Sequence, residues 1–111
     1  MVTKQEVFES LDEIRKKFDD PETKAKFAGF RRDLQFRFPD IGASYVMSID
    51  ENTNISLVEG TVEKPHVSVE MDSSTFIGIR NKTIRGTQAY MTGKLKIKGP
   101  MPDLLKLQKL L

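Results

Sequence analysis

The sequence predicts an α+β domain, and three observations carry that prediction. Two amphipathic stretches of period 3.6 open the chain, a block of period-2 stretches follows from about residue 35 to residue 72, and helical segments then flank one more strictly alternating run, Lys94 to Lys98. The expected order is two helices, four strands, short helices, one strand and a terminal helix. With 111 residues and 38% hydrophobic content, residues 1–111 suit one domain with a single modest core.

The first helix is expected over about residues 4 to 19. Thr3 and Glu6 have capping-box spacing, and Val7, Phe8, Leu11, Ile14 and Phe18 recur at helical intervals among charged residues. Asp20 before Pro21 is a cap followed by a ring already at helical φ, so a second helix is expected from there to about Arg32.

Phe36 and Phe38 then alternate with Gln35 and Arg37. Ala43, Tyr45, Met47 and Ile49 alternate with Ser44, Val46, Ser48 and Asp50, and Ile55 and Leu57 with Asn54 and Ser56. The run from Asp50 to Asn54 is a dense turn signal, which makes the second and third strands an antiparallel hairpin. After a connection from Gly60 to Pro65, Val67, Val69 and Met71 form a fourth strand that ends at Asp72, a good helix cap. Such strands give a sheet one apolar and one wet face.

Phe76, Ile77, Ile79 and Ile84 continue at helical spacing, and Gly86 separates them from a short helix with Ala89, Tyr90 and Met91. Gly93 is placed to stop that helix in a left-handed conformation. The alternation of Lys94 to Lys98 then sends Leu95 and Ile97 inward and three ammonium groups outward. Gly99-Pro100 ends this strand, and Pro102 and Asp103 open a helix bearing Leu104, Leu105, Leu107, Leu110 and Leu111.

Composition excludes several chemistries. No cysteine is present, so disulfides, thiolate metal sites and cysteine nucleophiles are ruled out, and one histidine cannot assemble a zinc set. Lys and Arg number 18 against 16 Asp and Glu, a net charge of +2 that gives no electrostatic footprint for nucleic acid. The start of the chain lacks a signal-like apolar stretch, and nowhere do about 20 apolar residues run together. A cytoplasmic location is expected. The tail Lys109-Leu110-Leu111 lacks the small residue of a Ser-Lys-Leu address, so peroxisomal import is not expected.

Catalysis would need converging titratable groups. His66 follows Pro65 at a strand entrance, where a polar edge residue is the ordinary explanation. Asp19-Asp20 and Asp50-Glu51 sit where caps and turns are expected, and Ser73 and Ser74 lack a nucleophile-elbow setting. No phosphate loop or dinucleotide fingerprint occurs, so no cofactor is expected. Arg80, Lys82, Arg85, Lys94, Lys96 and Lys98 cluster in the C-terminal half. They suit a solvated strand face that discourages edge pairing, or a transient approach to an anionic membrane surface.

The apolar residues of the C-terminal half are more informative. Phe76, Ile79, Ile84, Ala89 and Met91 fall in the short helices, Leu95 and Ile97 on the last strand, and Leu104, Leu107 and Leu111 on the terminal helix. Together they can cover the apolar face of the sheet, either as a packed core or, with five Met and seven Phe in the chain, as the wall of an adaptable cavity.

From Val67 onward the chain resembles the sterol carrier protein family. The residues that carry the resemblance are Val67-Ser68-Val69-Glu70-Met71-Asp72, then Ser73-Ser74-Thr75-Phe76, then Ala89-Tyr90-Met91-Thr92-Gly93-Lys94-Leu95-Lys96-Ile97-Lys98-Gly99 and a Leu-rich helix. The resemblance implies a five-stranded, mainly antiparallel sheet with helices packed on one face, enclosing an apolar tunnel. It also implies a non-enzymatic carrier of a lipid, fatty acyl or sterol- or isoprenoid-like molecule, with the ten apolar residues above as its lining. The alternative is a non-catalytic accessory module of the same fold with a filled core, supporting a partner lipid-metabolism enzyme. An enzyme acting on thioesters or lipids would have only His66 and Ser74 to draw on.

Overall fold

The computed structural model describes residues 2–107. The chain opens with α1 (Lys4–Lys16), started by the expected capping box. Thr3 Oγ1 accepts the Glu6 N–H at 3.1 Å, and the Thr3 N–H donates to Glu6 Oε1 at 3.3 Å. Val7, Leu11 and Ile14 face the core, and a 3₁₀ turn over Lys17–Asp19 adds Phe18. Asp20 then caps α2 (Pro21–Lys26), its carboxylate accepting the Thr23 N–H.

The second helix is shorter than expected. It stops at Lys26, and Gly29 at φ 77° turns the chain so that Phe27 and Phe30 both return to the core. Arg32, expected near the helix end, begins strand β1 (Arg32–Phe38), four residues ahead of the Phe36–Phe38 alternation. A 3₁₀ turn over Pro39–Ile41 leads to β2 (Ala43–Ile49), and β2 pairs antiparallel with β3 (Ile55–Glu59) in the register Met47 to Leu57. The intervening turn forms around Asp50, whose carboxylate accepts the N–H groups of both Asn52 and Asn54 at 2.9 Å.

Strand β4 (Val67–Met71) lies parallel to β1, in the register Leu34 to Val67 and Phe36 to Val69, and β5 (Leu95–Lys98) is antiparallel to β4. The sheet order is β3-β2-β1-β4-β5, mostly antiparallel with this one parallel pair at its centre. Between β4 and β5 lie α3 (Ser73–Arg80) and α4 (Gly86–Met91), and α5 (Met101–Leu107) follows β5. Gly93 has φ 80°, the left-handed stop expected there.

Alternation divides the sheet as expected. Leu34, Phe36, Phe38, Ala43, Tyr45, Met47, Ile49, Val67, Met71 and Leu95 form a buried inner face that the helices cover with Val7, Leu11, Phe27, Phe76 and Ala89. The opposite face carries Ser48, Arg37, Ser68, Glu70, Lys96 and Lys98, with one departure. There the 60–66 connection is anchored by the Val62 N–H on Gln35 Oε1 at 3.0 Å, and both Gln35 and Val46 are buried. No helix among the described residues is long and apolar enough to cross a membrane.

Candidate functional site

The C-terminal half builds the helical cover over β4 and β5. At its centre Phe76 is fully buried, with its ring 5.3 Å from that of Phe38, and Ala89 and Leu95 are buried beside it. Ile79, Ile97, Leu104 and Leu107 pack on this core but remain only partly covered. Ile84 is also partly covered, although it does not lie in a helix as expected. Lys82, at φ 63°, ends α3, and Ile84 folds back over Gly78 so closely that a Cβ there would stand 2.5 Å from its Cδ1. Met91, also nominated from the sequence, points into solvent with 84% of its surface exposed. Leu111 lies outside the described residues.

Among the described residues, two clefts open at the border of this cover. One, of about 400 Å³, lies between the end of α2 and α5 and is lined by Lys26, Phe27, Leu105 and Lys106. The other, of about 330 Å³, lies between the start of α3 and β5 and is lined by Pro39, Glu70, Met71, Asp72, Ser74, Thr75, Gly93, Lys94 and Lys96. Both are open to solvent. The interior between them is occupied by packed side chains, Phe38, Phe76 and Met47 among the most deeply buried.

A charged latch holds α5, and hydrophobic periodicity gave no sign of it. Arg32 occupies an inward position of β1, and its Nε and Nη2 donate to Asp103 Oδ2 and Oδ1 at 2.7 and 3.2 Å. Asp103 is 5% exposed, so this two-point ion pair is well shielded on the acid's side. The bond to Asp103 pushes the Arg32 pKa further up, against the opposing effect of burial. The Arg32 guanidinium also lies 4.7 Å from the centre of the Phe30 ring, and the Lys106 ammonium stands 5.0 Å from Phe30 and 5.5 Å from Phe27. The only signal in the sequence is an aspartate in the first turn of a leucine-rich helix, which reads first as a helix-opening acid.

The groups nominated for acid–base chemistry are set apart. The His66 N–H donates to the Asp33 carbonyl while its Nδ1 accepts the Asp33 N–H, both at 3.0 Å, so the imidazole extends the β1–β4 pairing by one residue. Ser74 lies beyond the other end of β4, with roughly 16 Å of strand between the two. Tyr45 is buried, which together with the nearby Glu59 charge raises its pKa, and its hydroxyl donates to the Lys4 carbonyl at 3.4 Å.

Known proteins similar to this chain are consistent with the fold. A 48-residue stretch, 43% of the chain, is 48% identical to hydroxysteroid dehydrogenase-like protein 2 of Xenopus tropicalis and spans only 12% of that protein. A 58-residue stretch, 52% of the chain, is 29% identical to the oleate-induced peroxisomal protein POX18 of Candida maltosa and spans 46% of it. The crystal structure of sterol carrier protein 2 like 2 from Aedes aegypti superposes with a TM-score of 0.67 at 19% identity, covering 92% of this chain and 93% of that one. With its match to the family model running over residues 11–111, the chain belongs to the SCP-2 sterol transfer family.

Proposed function

We propose that this protein is a non-catalytic carrier of an apolar molecule, a lipid, fatty acyl or sterol- or isoprenoid-like compound, held in the cytoplasm between the inner sheet face and α3, α4 and α5. One observation carries the proposal: the helical cover over β4 and β5 is incomplete. Ile79, Ile84, Ile97, Leu104 and Leu107 keep part of their surface accessible, and Met101 and Leu105 are exposed on the same short helix as Leu104. An apolar ligand that spread α4 and α5 from the sheet would bury that surface. The nominated lining is then Phe76, Ile79, Ile84, Ala89, Leu95, Ile97, Leu104 and Leu107, together with Leu111, which lies outside the described residues, while Met91 faces solvent.

The energetics suit reversible carriage. About 10 buried methylenes at about 0.8 kcal/mol each leave several kcal/mol once the ordering of ligand and helices is subtracted. Bond-making residues are not required. Membership of the SCP-2 sterol transfer family and the likeness to an Aedes aegypti sterol carrier protein support this function.

Native mass spectrometry tests it. Protein extracted with organic solvent and then exposed to a mixture of fatty acids and sterols is expected to gain the mass of one apolar ligand. A protein that neither arrives with nor accepts such a mass is not a carrier.

A further inference from the structure

The cleft at the start of α3 contains donors that an apolar ligand has no use for. The first four N–H groups of a helix find no acceptor inside it. In α3 the Ser73 N–H goes to Asp40, and the Phe76 N–H goes to the Asp72 carbonyl. Asp72 stands at the cap position, but its side chain accepts no capping bond, so the N–H groups of Ser74 and Thr75 have no acceptor among the described residues.

Thr75 supplies a second, separate sign. Its side chain is among the buried ones, with the residue 6% exposed, and its hydroxyl bonds to nothing among the described residues. Among the described residues no fully enclosed side-chain oxygen is left unpaired, so this hydroxyl keeps an outlet, and Thr75 lines the cleft. Lys96 lines it from β5 and Lys94 from the residue just before that strand, and Lys94 makes no ion pair among the described residues. Two aligned amides at a helix N-terminus, a hydroxyl and an ammonium group are a donor set for an anionic oxygen.

The cleft is not simply positive. Glu70 and Asp72 also line it, and Glu70 lies 4.0 Å from the Lys96 ammonium. The four charges cancel at a distance, so attraction begins only where a ligand oxygen reaches the amides. That arrangement favours a compact oxyanion over a diffuse anionic surface.

We propose that the cleft between the N-terminus of α3 and β5 is an oxyanion subsite, in which the N–H groups of Ser74 and Thr75, the Thr75 hydroxyl and the Lys94 ammonium hold a carboxylate or phosphate group. The subsite does not depend on an apolar cargo. Its chemistry is shared by the headgroup of an acidic lipid and by free phosphate.

Titration of ¹⁵N-labelled protein, followed by the backbone amide resonances, tests the subsite. Inorganic phosphate is expected to move the Ser74 and Thr75 amides saturably. Thr75→Val is expected to weaken phosphate binding about tenfold, the loss of one hydrogen bond to a charged group. It should leave the melting temperature unchanged or higher, because the hydroxyl has no partner among the described residues to lose. Asp72→Asn is expected to tighten binding.

Decanoate and acetate distinguish the two sources. If the subsite takes a lipid headgroup, decanoate saturates the same amides at far lower concentration than acetate; if it takes a free anion, the two are equal. Static Ser74 and Thr75 amides at tens of millimolar phosphate would overturn the proposal, as would unchanged affinity in Thr75→Val. Uptake of decanoate by a protein whose Ser74 and Thr75 amides stay still under both decanoate and phosphate would remove the subsite while leaving the carrier function standing.

Discussion

The carboxylate of Asp40 holds Ser73 at two points, accepting its backbone N–H at 2.9 Å and its hydroxyl at 2.6 Å. An acid from the turn between β1 and β2 therefore caps α3 across the sheet end, although Asp72 occupies the cap position in the chain. Because the cap comes from a distant segment, it ties the start of α3 to the end of the central strand. It also leaves Asp72 free to face the cleft.

Asp40→Ala is expected to cost about 1 kcal/mol in urea denaturation at neutral pH, the usual loss of a helix cap, while Asp72→Ala stays within about 0.5 kcal/mol. Burial pushes the Asp40 carboxyl up, but the Ser73 hydroxyl and amide, with the amides of Asp40 and Ile41, outweigh it and leave its pKa below the ordinary 3.8. A folded-state pKa below the unfolded one gives stability that is present above pH 3.8 and lost as pH falls through the lower folded value. The difference between wild type and Asp40→Asn should accordingly shrink on acidification below that pH. A constant difference down to full protonation would assign the effect to shape alone.

Asp103→Ala is expected to destabilise the protein by about 2 kcal/mol, less than a fully buried pair because the Arg32 side chain is 32% exposed. Hydrogen exchange should accelerate first at Leu104 to Leu107, since α5 loses its latch to β1. A double-mutant cycle with Arg32→Ala measures the pair itself. Coupling near zero would mean that Lys106 over Phe27 and Phe30 holds the helix instead.

Gly93→Ala isolates a backbone effect. A Cβ at this position would meet nothing within 4 Å, so crowding contributes no penalty, and the cost comes from φ 80°. About 1 kcal/mol is expected from thermal denaturation, with Gly93→Asn losing less because asparagine tolerates the left-handed region better. Equal losses in both variants would point to a contact that the open space around Gly93 does not provide.

These residues also mark what was legible in the sequence. Gly93, the alternation of Leu95 and Ile97, the Thr3–Glu6 box and the Asp50 turn depend on neighbours a few residues away, and all formed as local chemistry requires. Arg32 and Asp103 are 71 residues apart, so in the sequence alone a charged residue at an inward strand position reads as part of a helix end. The parallel pairing of β1 with β4 is nonlocal in the same way. Both clefts join distant segments, Lys26 with Lys106 and Pro39 with Lys94, so the sequence pointed to the apolar residues but not to the openings beside them.

The incomplete cover over β5 leaves two apolar side chains exposed to different degrees. Ile97 lies on the inner face opposite Val69 and is half-buried, whereas Met91 is almost wholly in water. If a ligand occupies the space between β5, α4 and α5, it covers the remaining Ile97 surface, and a polar group there must lose its water without gaining a partner. Ile97→Asn should then weaken fatty acid binding by roughly tenfold or more, consistent with about 1–3 kcal/mol for an unsatisfied polar group. Met91→Gln should change it by less than about twofold, since a solvent-facing side chain gives up little water in either state. A fluorescent fatty acid displacement assay at matched folded fractions reads both. If Met91→Gln weakens binding as much as Ile97→Asn, the ligand lies outside α4 and not between the helices and the sheet.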